Sequence, residues 1–291
     1  MIKRLNNNVA SVSVNENGGE MISFKSLVSG YEYLWNGDSN YWTGHAPLLF
    51  PIVCAAKNRE IKIEGQKYTI GNHGFARGSK FKLVEESENQ LTYLLEYNDE
   101  TLKMYPYKFK LYIKYLLEDN KVTIKYTIEN VDEKAIYFSI GTHPGFNCKF
   151  TESDKLEDYY IEFDQKETMN RLFMNGNNEL INGQSELVME DDKVLYLKKE
   201  MFEKGAMVFR NMNSKEVTLK SKTSDKSVKL SYDNLPYMGI WQPEGAPFIC
   251  IEPWHGIADH DAFDGEFKEK EMIIKLEEKG AYNTSYSIEV K

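Results

Sequence analysis

Apolar and polar residues alternate along much of this chain. In "KFKLYIKY" Phe109, Leu111, Ile113 and Tyr115 fall on one side, and Lys108, Lys110 and Lys114 on the other. That is the period-two pattern of a half-buried strand. "KVTIKYTIEN" repeats it with Val122, Ile124, Tyr126 and Ile128, and the short polar "EDN" between the two runs predicts a hairpin. "EVTLKSK" and "SVKLSYD" form a similar pair through Val217, Leu219, Val228, Leu230 and Tyr232. The N-terminal "VASVSVN" and "NGGEMISFKSLVSGYEYLWNG" read as strands broken by Gly-Gly and Asn-Gly turns. Helical signals are confined to the short stretches "SDKLEDYYIEF" and "MFEKGAM". No internal repeat and no Pro- or Ser-rich linker divides the chain. The pattern predicts an all-β fold, one domain over residues 1–291, with two large antiparallel sheets packed face to face. The lysine-rich faces read as solvated outer surfaces that discourage edge pairing.

Composition narrows the function. A net charge of −9 argues against nucleic acid or an anionic membrane as the main partner, since both call for basic patches. A neutral or small ligand remains open, with a monomer or homodimer as the expected assembly. The cysteines Cys54, Cys148 and Cys250 fit no zinc or redox spacing and, being odd in number, no closed disulfide framework. A reducing, cytoplasmic setting is the simpler expectation. The N-terminal "MIKRLNNNVASVSV" lacks the apolar centre of a signal peptide, and no stretch reaches the length of a membrane span.

Three stretches break the strand pattern. "GNHGFARG" holds His73, Phe75 and Arg77 between glycines, which let the backbone approach a ligand closely. In "FSIGTHPGFN" the proline after His143 biases that histidine towards an extended conformation at a strand's end. In "APFICIEPWHGIAD" the buried-strand pattern "FICIE" ends on Glu252, again followed by proline. A carboxylate beside so apolar a strand is costly unless paired. Trp241 and Trp254 lie nearby in sequence, and flat aromatic rings suit the C–H faces of a sugar. No metal-ligand motif, P-loop, dinucleotide fingerprint or nucleophile elbow is present. Acid/base chemistry without a metal or other cofactor is therefore the natural class. From reference pKa values of about 4.3 and about 6.5, an ionised Glu would serve as base and a His of modestly raised pKa as acid.

"NHGFAR", "GTHPGFN" and "ICIEPWHGIAD", in this order, resemble the motifs of the aldose 1-epimerase (galactose mutarotase-like) superfamily, in particular its LacX-like branch. "GHAPLLFPIVC" resembles a block preceding the family's first histidine, and the likeness spans roughly residues 5 to 290. The resemblance implies a large antiparallel β-sandwich, the mutarotase supersandwich, that interconverts the α and β anomers of an aldose. It implies Glu252 as base, His143 as acid, His73 as a hydrogen-bonding partner of the sugar and Arg77 as a residue that orients hydroxyls. One departure stands out. Where the branch often carries Gly-Arg, this chain has Cys54-Ala55, with Lys57 and Arg59 slightly beyond. Two other readings stay open: a hexose-6-phosphate 1-epimerase, which needs cations converging on one pocket, and a non-catalytic carbohydrate-binding or sensing protein.

Overall fold

A computed structural model describes residues 1–291, the side chain of Asn182 excepted. The predicted hairpins form as read. Phe109–Glu118 pairs antiparallel with Lys121–Asn130, and Phe109, Leu111, Ile113 and Tyr115 are buried while the lysines between them are not. Glu216–Ser221 and Ser227–Asp233 make the second hairpin, also with alternating burial.

The expected two sheets are joined in a single hydrogen-bonded ladder of 15 strands. It runs from Leu48–Leu49 through Ile140–Thr142, Phe248–His255, Tyr237–Trp241 and Met207–Phe209 to Tyr159–Met174. From there it continues through the second hairpin, Ala281–Val290 and the first hairpin to Gln90–Glu96 and Lys82–Glu86. A sheet this long accumulates twist and curls. Its ends therefore meet across the core: the Phe50 ring, beside the first strand, lies 5.1 Å from that of Phe109 near the other end. The curled sheet makes an all-β sandwich around one large apolar cluster, capped by a three-stranded sheet of Ile2–Asn6, Ala10–Asn15 and Glu20–Ser26.

The helical signals resolve differently. "SDKLEDYYIEF" holds a single 3-10 turn, Leu156–Asp158, and then enters the long strand Tyr159–Met174. "MFEKGAM" overlaps the 3-10 turn Lys199–Phe202 and runs into the strand Met207–Phe209. The α-helix Asp99–Met104 carried no apolar period to betray it; Asn98 and Thr101 start it with a capping box.

Candidate active site

The strand Phe248–His255 builds the centre of the site. Its alternation sends Ile249 and Ile251 into the main core, and leaves Cys250, Glu252 and Trp254 on the other face. The strand does not end at Glu252, as the sequence pattern suggested, but continues through Pro253, paired to Met238. The stretch around His143 is likewise no simple strand end. Ile140–Thr142 and Gly145–Asn147 both pair with the same long strand, Gly141 opposite Trp254 and Gly145 opposite Cys250. His143 and Pro144 interrupt this ladder, and the register puts His143 opposite Glu252. The His143 N–H donates to the Pro47 carbonyl at 3.1 Å, so the interruption is anchored from the neighbouring segment. The result is a close pair: His143 Nε2 lies 3.2 Å from Glu252 Oε2, and both side chains are buried.

Trp254 can lie beside Glu252 only because its neighbours across the sheet are glycine. A Cβ on Gly141 or on Gly239 would stand 2.5 Å from its indole ring, well inside van der Waals contact. Above, Trp42 stacks on the His143 imidazole at 4.8 Å between centroids, and Trp241 meets the same ring edge-on at 5.7 Å.

His73 sits at positive φ (62°), a conformation that few non-glycine residues adopt. Two bonds to one residue hold it there: its N–H donates to the Cys54 carbonyl at 2.8 Å, and its Nδ1 accepts the Cys54 N–H at 3.0 Å. An Nδ1 that accepts carries no proton, so the neutral ring presents Nε2–H as a donor. The His73 ring lies 5.6 Å from that of His143, edge to face. Cys54 is itself at positive φ (57°), which gives a physical reason for the glycine that the resemblance placed there. Ala55 is buried and brings no cation. Lys57 is turned away to Asp264 at 2.9 Å, and Arg59 does not reach the cavity wall.

These groups line a cavity of about 340 Å³. His73, Arg77, His143, Trp241, Glu252 and Trp254, all singled out in the sequence, border it. Phe75 does not. It is packed in the core against Phe50 and Phe109, at 6.2 and 6.0 Å between centroids, where it anchors the loop that carries His73. An aromatic residue beside glycine reads equally well as wall or as core, and here the core has it. The remaining wall was not foreseen. Asn175 and Asn178 come from the turn between Tyr159–Met174 and Leu180–Tyr196, and Lys204 from the turn before Met207–Phe209. Glu179 ties the first of these turns down, accepting from Asn58 N–H and Asn175 Nδ2, both at 2.9 Å.

Burial overturns the protonation expected from reference values. It raises the Glu252 carboxyl well above its ordinary range, and the Trp254 indole N–H beside it offsets only part of the rise. It pushes His143 down to about 3, with the Arg77 charge adding to the fall. His73 is also held well below its usual value, by burial first and then by the charges of His143, Arg77 and Arg59. Burial therefore favours a protonated Glu252 beside a neutral His143, one proton held by two groups, rather than a carboxylate beside an imidazolium.

Comparison with known proteins agrees with this architecture. The aldose 1-epimerase family profile matches residues 2–275. The plasmid-encoded protein LacX of Lactococcus lactis subsp. lactis is 32% identical over 298 aligned residues, covering 100% of this chain and 99% of that protein. The crystal structure of a galactose mutarotase related enzyme from Lactobacillus acidophilus superposes with a TM-score of 0.95 at 29% identity, over 100% of this chain and 97% of that one. A galactose mutarotase-like protein from Lactobacillus casei gives a TM-score of 0.93 at 27% identity, with both chains covered completely.

Proposed function

Because the chain belongs to the aldose 1-epimerase family, we propose that it interconverts the α and β anomers of an aldose by acid/base ring opening. One observation carries the reading: a buried carboxyl and a buried imidazole 3.2 Å apart at a cavity lined by three tryptophans. The anomeric hydroxyl and the ring oxygen are both bonded to C1, so the groups that serve them must stand close together. Glu252 takes the proton of the anomeric hydroxyl while His143 gives its proton to the ring oxygen. The bond between C1 and the ring oxygen breaks, and the electrons of the O–H bond form the aldehyde. Rotation about C1–C2 presents the other carbonyl face, and reclosure returns both protons. His73 Nε2–H is a donor for oxygen that gains negative charge on the way.

The pKa shifts favour this direction of transfer. A raised carboxyl pKa makes Glu252 a stronger base, and a lowered imidazolium pKa makes His143 a stronger acid. Ring opening thus turns a desolvated ion pair into two neutral groups, which a dry site prefers. The cost is that the charged starting form is scarce before the sugar binds. Because the pair titrates as a unit, kcat/KM holds level as pH falls from neutrality through about 6.5, the ordinary histidine value. The acid-side loss begins only towards the His143 value of about 3. An inflection near 6.5 in the pH–rate profile would show a His143 that titrates as if exposed.

A phosphorylated aldose is a second reading, favoured by two cations on the cavity wall, Arg77 and Lys204. Among the described residues Arg77 has no ion-pair partner, whereas Lys204 is 3.1 Å from Glu186. Polarimetry on freshly dissolved α-glucose and on glucose 6-phosphate separates the two readings by their rates. Calorimetric binding of a sugar whose mutarotation is not accelerated would instead support a binding or sensing role. No helix is long and apolar enough to cross a membrane. The three cysteines are free and buried, which supports a reducing, cytoplasmic setting.

A further inference from the structure

The thiol of Cys250 plays no part in the chemistry above, yet it shares the cavity-side face of its strand with Glu252. Cys250 Sγ, a Glu252 carboxylate oxygen and a His143 ring nitrogen all lie within 4.8 Å of one another. All three residues are more than nine-tenths buried, and the close polar contact among them is that of His143 with Glu252 at 3.2 Å. We infer that these three groups form a site for a soft divalent cation, with zinc the best fit, and that its occupation blocks the proton-transfer pair.

The donor set carries the choice of metal. Thiolate, imidazole and carboxylate are the ligands zinc takes, at about 2.3 Å to sulfur and about 2.0–2.2 Å to nitrogen and oxygen, which puts ligand atoms about 3.3–3.8 Å apart. The His143–Glu252 separation of 3.2 Å already matches the shortest edge of such a polyhedron. The sulfur has to close by only about 1 Å, within reach of a small change in the Cys250 side chain. Hard cations such as magnesium and calcium seek oxygen ligands and gain little here. Charge points the same way. One thiolate and one carboxylate neutralise a divalent ion, so the complex buries no net charge. His143 and Glu252 border the cavity, so a fourth ligand would come from that side. Sequence spacing gave no sign of this site, because His143 reaches the other two ligands across the sheet register and not along the chain.

Cobalt(II) is the probe, since a thiolate ligand gives it an intense near-ultraviolet charge-transfer band. Titration of the intact reduced protein is expected to give that band at about one equivalent. Cys250→Ser is expected to abolish it and to weaken zinc, measured by competition, by at least roughly 10-fold, whereas Cys54→Ser and Cys148→Ser retain it. His143→Ala is expected to weaken the metal as well. No band with wild type, a band that survives Cys250→Ser, or a band lost in Cys54→Ser would overturn the assignment. Thermal unfolding of each variant shows whether a lost band reflects a lost fold; should Cys250→Ser not fold, Cys250→Ala takes its place. Block of the pair rests on the proposed mutarotation and is read separately, as loss of the wild-type rate on adding zinc and its recovery with chelator. The cobalt band stands or falls whether or not any sugar is turned over.

Discussion

Glu252→Gln is expected to lower the mutarotation rate by about 10²- to 10⁴-fold, the range for loss of one well-placed proton-transfer group. The amide keeps the shape of the side chain and cannot take the anomeric proton. His143→Ala is expected to cost a similar factor, and the double variant little more, because two groups that move protons in concert act as a unit. Stability moves the other way. The Glu252 pKa is raised in the folded chain, so above about 4.3, the ordinary Glu value, the folded state keeps a proton that the unfolded state releases. Stability due to this group therefore falls as pH rises towards the folded value. Glutamine has no such proton to hold, so near neutral pH Glu252→Gln should melt at the wild-type temperature or above it. For His143, whose pKa is lowered, the unfolded chain binds the extra proton, and stability falls as pH drops from about 6.5 towards the folded value of about 3. Melting curves at several pH values check both signs. An inactive Glu252→Gln variant that also melts early would mean the activity was lost with the fold.

Lys270→Ala is expected to destabilise the fold by about 3–5 kcal/mol, because it strands a buried carboxylate. Lys270 Nζ donates to Asp259 Oδ1 at 2.5 Å, and the two side chains are only 1% and 4% exposed. Asp259 also holds the cavity together. Its Oδ2 accepts the Lys57 N–H at 2.9 Å, its N–H donates to Ala55 at 2.9 Å, and its carbonyl accepts from Leu180 at 2.8 Å. One residue thus joins the segment that grips His73 to the turn that carries Asn175 and Asn178. The melting temperature of Lys270→Ala should fall by on the order of 10 °C. Replacing both partners, as Asp259→Leu with Lys270→Met, should recover much of the loss, since an apolar pair leaves no charge stranded. An unchanged melting temperature for Lys270→Ala would mean that Asp259 finds another partner or water.

The strands were legible because alternation survives in them: Phe109, Leu111, Ile113, Tyr115 and Leu117 point inward, and Lys110 and Lys114 lie on the other face. The joining of the sheets was not, since register between strands far apart in sequence leaves no local trace. The site was legible where backbone constraint and chemistry coincide. His73 stands among glycines, and His143 and Glu252 each precede a proline. Trp42, Asn178 and Lys204 carried no such mark, because turns remote in sequence bring them to the cavity. Protonation was misread for a physical reason. Reference pKa values describe groups in water, and only the folded surroundings show how little water His143 and Glu252 keep. Cys250 was passed over because His143 reaches it and Glu252 across the sheet and not along the chain.

The central claim is that the buried His143–Glu252 pair exchanges anomers. Its most direct test is the α–β exchange rate of an aldose labelled at C1, measured at equilibrium by magnetisation-transfer NMR with wild type, Glu252→Gln and His143→Ala. The account predicts exchange well above the buffer rate with wild type and near the buffer rate with either variant at equal concentration. Exchange at the buffer rate with wild type across free and phosphorylated aldoses would contradict it, and so would full exchange with either variant.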